Sequence, residues 1–188
     1  MTTENLFVVP GETRIPTVTK YNLMNHEHEV YIQIEDAGGP HPIKVRDDET
    51  IGDLLARLRA EHPRANHEPE LLAVFAEDAE DESPKDKKFC ECHPHRPKIL
   101  HCHRCREIKV AVFYNGEENH VFRPNARIRR VTEWAKDKFT VDAGRKWVLR
   151  TGSAEGEILD PDTHVGQLVK FPDCHLTLFL TERCLIQG

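Results

Sequence analysis

Residues 108–122 read Ile-Lys-Val-Ala-Val-Phe-Tyr-Asn-Gly-Glu-Glu-Asn-His-Val-Phe, and the fold follows from this stretch. Ile108, Val110, Val112 and Tyr114 alternate with Lys109, Ala111 and Phe113, the period of a half-buried strand. Asn115-Gly116 predicts a type I′ hairpin, whose two central residues need positive φ. His120-Val121-Phe122 returns as the second strand. Working outward, Pro124-Asn125 ends the hairpin and places Asn125 as a helix N-cap. Ile128, Val131, Ala135 and Phe139 then recur at helical spacing, with Trp134 on the flank. Asp142-Ala143-Gly144 closes the helix, and Trp147-Val148-Leu149 forms a short third strand on which Arg150 and Val148 share the outward face. After a loop punctuated by Gly152 and Gly156, residues 163–168 predict a helical turn that packs Val165 and Leu168. Residues 174–181 alternate again, with Leu176, Leu178 and Leu180 on one face.

The order hairpin, helix, strand, turn, strand is that of a β-grasp unit, and the first half repeats it. Val30, Ile32 and Ile34 form a strand, Asp36–Pro40 turns the chain, and Ile43 and Val45 return. Thr50 caps a helix with Asp53 as its partner three residues on. Ile51, Leu54, Leu55 and Leu58 make one apolar stripe, and His62-Pro63 stops the helix. Residues 71–75 and 98–103 supply the remaining strands. The leading residues of the two helices, Ile51 and Ile128, lie 77 positions apart, which is the length of one small domain and marks a tandem duplication. The reading is an α+β chain of two tandem β-grasp domains with an extended N-terminal segment: residues 1–25 as a tail, 27–105 and 106–182 as the two units, and 183–188 as a flexible C-terminal tail. The competing reading is a single α+β domain with one extended sheet.

Composition narrows the function classes. The chain has 188 residues and a formal net charge of −6, which argues against a nucleic-acid partner. Residues 1–105 hold 13 Lys and Arg against 20 Asp and Glu, whereas residues 106–188 hold 13 against 12. No apolar run is long enough to span a membrane, and the first ten residues lack the basic start and apolar core of a secretory signal. The six cysteines are crowded rather than spread as a disulfide frame, which points to a reducing cytoplasm. No Gly-rich phosphate loop follows a strand, and no nucleophile–base set is legible outside residues 90–105, so the chain does not read as an enzyme. His62, His67 and His164 lie at element ends and read as surface residues.

The second half resembles ubiquitin in layout, down to the final strand written Leu176-Thr-Leu-Phe-Leu180 before a tail that reaches Gly188. Residues 27–188 are similar to the bacterial tandem ubiquitin-like proteins of Bil-type defence operons, also called multi-ubiquitin-like families. The motifs that carry the likeness are His103-Arg-Cys-Arg106 with the following Glu-Ile-Lys-Val, Asp160-Pro-Asp-Thr-His-Val-Gly166, and Ile186-Gln-Gly188. The resemblance implies a protein tag used in antiviral defence. An E1-like enzyme activates Gly188, an E2-like enzyme receives it as a thioester, target proteins accept it on an amine, and a deconjugating protease removes it. Glycine at that position threads a narrow channel at least steric cost. Seven or eight extended residues reach roughly 25 Å. Leu185 and Ile186 give the tail apolar handles and Arg183 a charge-assisted one. Gln187 stands where ubiquitin has a glycine. Two alternatives are a non-covalent tandem β-grasp adaptor and a sulfur carrier in which Gly188 becomes a thiocarboxylate.

Residues 90–105 hold four cysteines and four histidines in sixteen positions, a density that suits structural, tetrahedral zinc on Cys90, Cys92, Cys102 and Cys105. Strand alternation over 98–103 opposes that set, because it puts His101, His103 and Cys105 on one face and Cys102 on the other. The alternative cage takes His101 and His103 with Cys90 and Cys92; a purely structural use needs no metal, and no other cofactor is required. Residues 77–82 carry five acids and read as a solvated, mobile insertion. Within residues 1–25, Leu6-Phe-Val-Val9 is apolar and β-prone, and adding it to an open sheet edge would make a homo-oligomer.

Overall fold

The computed structural model describes residues 26–61 and 70–183. The expectations for residues 1–25, for His62 and His67, and for Leu185, Ile186, Gln187 and Gly188 lie outside the described residues. The first unit contains β1 (Glu27–Ile34), β2 (His41–Arg46), α1 (Ile51–Glu61), β3 (Ala73–Ala76), α2 (Phe89–Cys92) and β4 (Ile99–His103). The second contains β5 (Ile108–Phe113), β6 (Glu117–Phe122), α3 (Ile128–Phe139), β7 (Trp147–Thr151), a 3₁₀ turn (Val165–Gln167) and β8 (His175–Glu182). Each set makes its own four-stranded mixed sheet, in the orders β2-β1-β4-β3 and β6-β5-β8-β7. In both, the first and last strands pair parallel at the centre, as β1 with β4 and β5 with β8, while the outer pairs are antiparallel. This is the β-grasp topology twice over, with two sheets and not one extended sheet.

Each sheet closes one core against its own helix. Val30, Ile32, Ile34, Val74 and Leu100 meet Ile51, Leu54, Leu55 and Leu58 in the first. Val110, Val112, Leu149, Leu178 and Leu180 meet Ile128, Val131 and Ala135 in the second. The period-2 strand pattern and the i, i+3, i+4, i+7 helix pattern converge on the same side because each element has one apolar face to bury. Thr50 caps α1 as expected: its Oγ1 accepts the Asp53 N–H at 3.0 Å, and its hydroxyl donates to Asp53 Oδ2 at 2.6 Å.

Four local expectations are corrected. The β5–β6 connection spans residues 114–116 between the paired Phe113 and Glu117, and Gly116 does not adopt positive φ, so this is a three-residue loop and not a type I′ turn. Asn125 is not the N-cap of α3; Arg127 holds that place, and the Asn125 amide donates instead to Ala76 O at 2.6 Å and Ala79 O at 2.8 Å. The acidic stretch is not a free insertion. Glu77 pairs with Arg127, Glu80 with Arg130 and Glu82 with Arg106, and Ser83 is buried. Opposite charge on the second unit, at hydrogen-bonding distance, outweighs the tendency of an acidic run to stay in water. Finally, Cys105 is bonded to Cys174, so the crowded cysteines do contribute one disulfide. The Cα atoms stand 5.7 Å apart because β5 and β8 are neighbours and the two residues sit just before their first rungs.

Candidate functional site

The end of β8 is the root from which residues 184–188 continue. β8 is a central strand, held on one side by β5 and on the other by β7. Its exit is pinned to the start of β7: Trp147 pairs with Glu182, the Arg183 N–H donates to Lys146 O at 2.8 Å, and Arg145 Nη1 donates to Glu182 Oε2 at 2.7 Å. Arg183 itself is exposed.

Beside that root lies the outward face of the second sheet. Val148 pairs with Thr181 and Arg150 with Phe179, so the four share one face, as the alternation predicts. Phe113 stacks on Phe179 with ring centroids 5.5 Å apart. Arg150 is tied down through Nε to Thr181 Oγ1 at 3.0 Å and through Nη1 to Gly156 O at 2.6 Å. The result is an apolar strip with a fixed guanidinium at its edge, next to the exit of the chain.

A second cluster joins the two units. Glu35, at the end of β1, is buried and accepts from Arg104 Nε and Nη2 at 3.0 Å, from the Arg104 N–H at 3.0 Å and from the Phe171 N–H at 2.7 Å. Burial alone would raise its pKa. The Arg104 side chain, the N–H groups of Phe171 and Arg104, and His103 outweigh it and hold the carboxyl at about 2. His103 Nδ1 accepts the Cys105 N–H at 2.9 Å, which leaves Nε2 to donate to Gly166 O at 3.0 Å, so the ring is neutral. His101 lies on His164 with centroids 4.2 Å apart. Burial, then His164, Arg127 and His103, push the pKa of His101 down to about 3, and burial lowers those of His103 and His164. His164 is thus an interface residue and not a surface one. Beside the pair, a cleft of about 430 Å³ opens between the units, lined by Gln33, Asp36, His103, Gln167 and Lys170 among others.

The zinc set is not assembled here. Cys105 is in the disulfide, and Cys102 points into the first core, where burial pushes its thiol up to about 12. Cys90 and Cys92 sit on α2, a helix unforeseen in the sequence, while His101 and His103 face the second unit. Among the described residues no group of three or more His, Cys, Asp or Glu side chains is placed to hold a metal ion. Sequence reading missed Glu35 and the partners of Asn125, since nothing local marks a contact between residues so far apart. One signal was available: the acids at 77–82 and the arginines at 106, 123, 127 and 130 are runs of opposite charge.

Residues 109–183 match the family model described as BilA ubiquitin-like domain 2. Similar solved structures each match less than half of the chain. A protein designed de novo on the basis of ubiquitin is 16% identical, with 45% of this chain and 98% of that one covered and a TM-score of 0.34. The N-terminal ubiquitin-like domain of the 4931431F19Rik protein is 20% identical, with 44% and 81% covered and a TM-score of 0.33. Caldiarchaeum subterraneum ubiquitin is 15% identical, with 44% and 99% covered and a TM-score of 0.33. The comparison with curated proteins gives no match.

Proposed function

We propose, from a second unit that matches the model of BilA ubiquitin-like domain 2, that the chain is a protein modifier joined to targets through Gly188. The observation that carries the reading is the exit of β8: a strand locked at the sheet centre, pinned as far as Arg183, and followed by five residues to the glycine. The Gly188 carboxylate attacks the α-phosphorus of ATP and releases pyrophosphate. A cysteine thiolate of the E1-like enzyme then displaces AMP, an E2-like cysteine takes over the thioester, and a target amine displaces that thiol to leave an amide. The chain supplies no catalytic group in this scheme; it is the substrate, and a protease reverses the bond by hydrolysis. The setting is bacterial antiviral defence in the cytoplasm.

The test is incubation with ATP and a cognate adenylating enzyme, read by intact mass and non-reducing electrophoresis. The expected product is a thioester that reductant removes. It is lost when Gly188 is deleted and kept when the exposed Arg129 is changed to alanine. A Gly188-deleted chain that still forms the thioester would refute the reading. An untransferred thiocarboxylate, heavier than the free acid by the exchange of oxygen for sulfur, would favour the sulfur carrier.

A further inference from the structure

The joint between the two units is tied by a covalent bond as well as by polar contacts. The linker runs from Arg104 to Glu107, after β4 and before β5. Cys105 lies in this linker, and its disulfide partner Cys174 ends the segment that leads from the 3₁₀ turn to β8. The bond therefore clamps the linker to a loop of the second unit, across a sequence separation of 69 residues.

That loop belongs to the second unit by sequence, but it grips the first. Lys170 and Asp173 are bridged to each other, so residues 170–173 form one tight turn. The Phe171 N–H donates to Glu35 Oε1 at 2.7 Å, and Lys170 Nζ lies 3.1 Å from Asp36 Oδ1. The Arg104 guanidinium sits over the Phe171 ring, 5.0 Å from its centroid. Val169 and Lys170 also line the cleft between the units, together with Gln33 and Asp36 of the first. Arg104 is the chain neighbour of Cys105, so the two segments that the disulfide joins are the two that hold the Glu35 carboxylate.

Each unit can keep its fold without the bond. Both cysteines precede the first rung of their strands, Lys109 with His175, and the Lys109 N–H holds the Cys174 carbonyl at 3.0 Å. Cys105 is 2% exposed and packs in the second core, where a thiol serves as a small apolar side chain. Cys174 is only half-buried, so of the two it is the one that an attacking thiolate can reach. We propose that the Cys105–Cys174 pair is a redox latch on the joint between the units. Bonded, it holds the 170–173 turn against Glu35 and Asp36; reduced, it releases the turn and opens the cleft on that side. The reductant is a dithiol. One of its thiolates attacks Cys174 Sγ, the S–S bond breaks, and Cys105 Sγ leaves with the electron pair and takes up a proton. The second thiol of the reductant loses its proton and displaces Cys174, which is protonated in turn. Two electrons and two protons pass to the chain, and the reductant becomes a disulfide. Glutathione disulfide carries the exchange in the other direction. In the reduced chain the Lys170–Asp36 pair is too exposed to hold the turn by itself, and the Phe171–Glu35 hydrogen bond opens more often.

The experiment places the full chain in glutathione buffers, from the disulfide form to a large excess of the thiol. The state of the pair is read from the Cys105–Cys174 cross-linked peptide after acid quench and digestion. The turn is read by amide-resolved hydrogen exchange over seconds to minutes. The pair should open and close reversibly across the series. The Phe171 amide should exchange about tenfold faster in the reduced chain, the effect of weakening one hydrogen bond to a charged group. Over the same times Val112 and Leu178, on the two central strands, should stay protected in both states. Cys174→Ser should show the fast Phe171 exchange in every buffer. A pair that stays bonded in excess glutathione, or never bonds in its disulfide, overturns the proposal. Equal Phe171 exchange in the two states overturns it as well. So does a reduced chain in which Val112 and Leu178 exchange along with Phe171, because the bond would then staple the whole unit and not latch one turn.

Discussion

Replacing His101 with phenylalanine, the residue at the equivalent place in the second unit (Phe179), removes a titrating group from the interface while leaving a ring to lie on His164. The imidazole of His101 is held down to about 3 in the folded chain, against 6.5 when it is free in water. Between those values the unfolded chain binds a proton that the folded chain refuses. Stability is therefore complete above about pH 6.5 and declines as the pH falls toward 3. At pH 5 the unfolded state gains about 1.5 units of protonation free energy, which is about 2 kcal/mol. Burial sets the direction and the facing groups add to it. His164 and Arg127 from the second unit and His103 from the same strand disfavour the charge. The carboxylates of Glu77, Asp78 and Asp162 act on His164, and Glu35 acts on His103. The assay is urea unfolding of wild type and His101→Phe at pH 7.5 and pH 5. The wild type should lose about 2 kcal/mol more than the variant between the two, a midpoint difference of roughly 1 M for a slope of about 2 kcal/mol/M. Equal losses would refute the reasoning, because they would mean that His101 titrates freely in the folded chain.

The Glu35 cluster makes a second case. Glu35→Gln takes from Arg104 its buried anion and leaves it only Asp36, 3.4 Å away at the surface, and calorimetry at pH 7 should show destabilisation of roughly 3 kcal/mol. The gap between wild type and variant should persist down to about pH 4.5 and close only as the pH approaches about 2, because the depressed carboxyl loses its charge over that window. For the disulfide, Cys174→Ser opens a loop of 69-residue separation, worth about 4 kcal/mol in the chain-entropy treatment. Reductant should bring the wild type to the variant's urea midpoint; a wild type indifferent to reductant would show that the bond does not form.

Much of the fold is legible in the linear pattern. Ile128, Val131 and Ala135, or Val30, Ile32 and Ile34, carry their own period, and each helix or strand forms by burying the face that the period marks. The 77-residue spacing of Ile51 and Ile128 shows the duplication without any tertiary knowledge, and the two helices begin at those residues. Alternation likewise placed Cys102 opposite His101 and His103, which is how the strand is built. The docking of one unit on the other was not legible, and three of the misreadings sit there. Asn125 has the residue type of a cap but spends its amide on the carbonyls of Ala76 and Ala79. An acidic run has the composition of a solvated loop but finds arginines some 24 to 50 residues away. His164 has the place of a surface residue but lies buried on His101.

The chain's own order of residues decided the elements, their inward faces and their repetition, because those depend on neighbours a few positions apart. The tertiary structure alone decided which polar groups lose their water. Hydrogen bonds and ion pairs between distant residues have no period, and their worth depends on a burial that exists only once both units have folded and met.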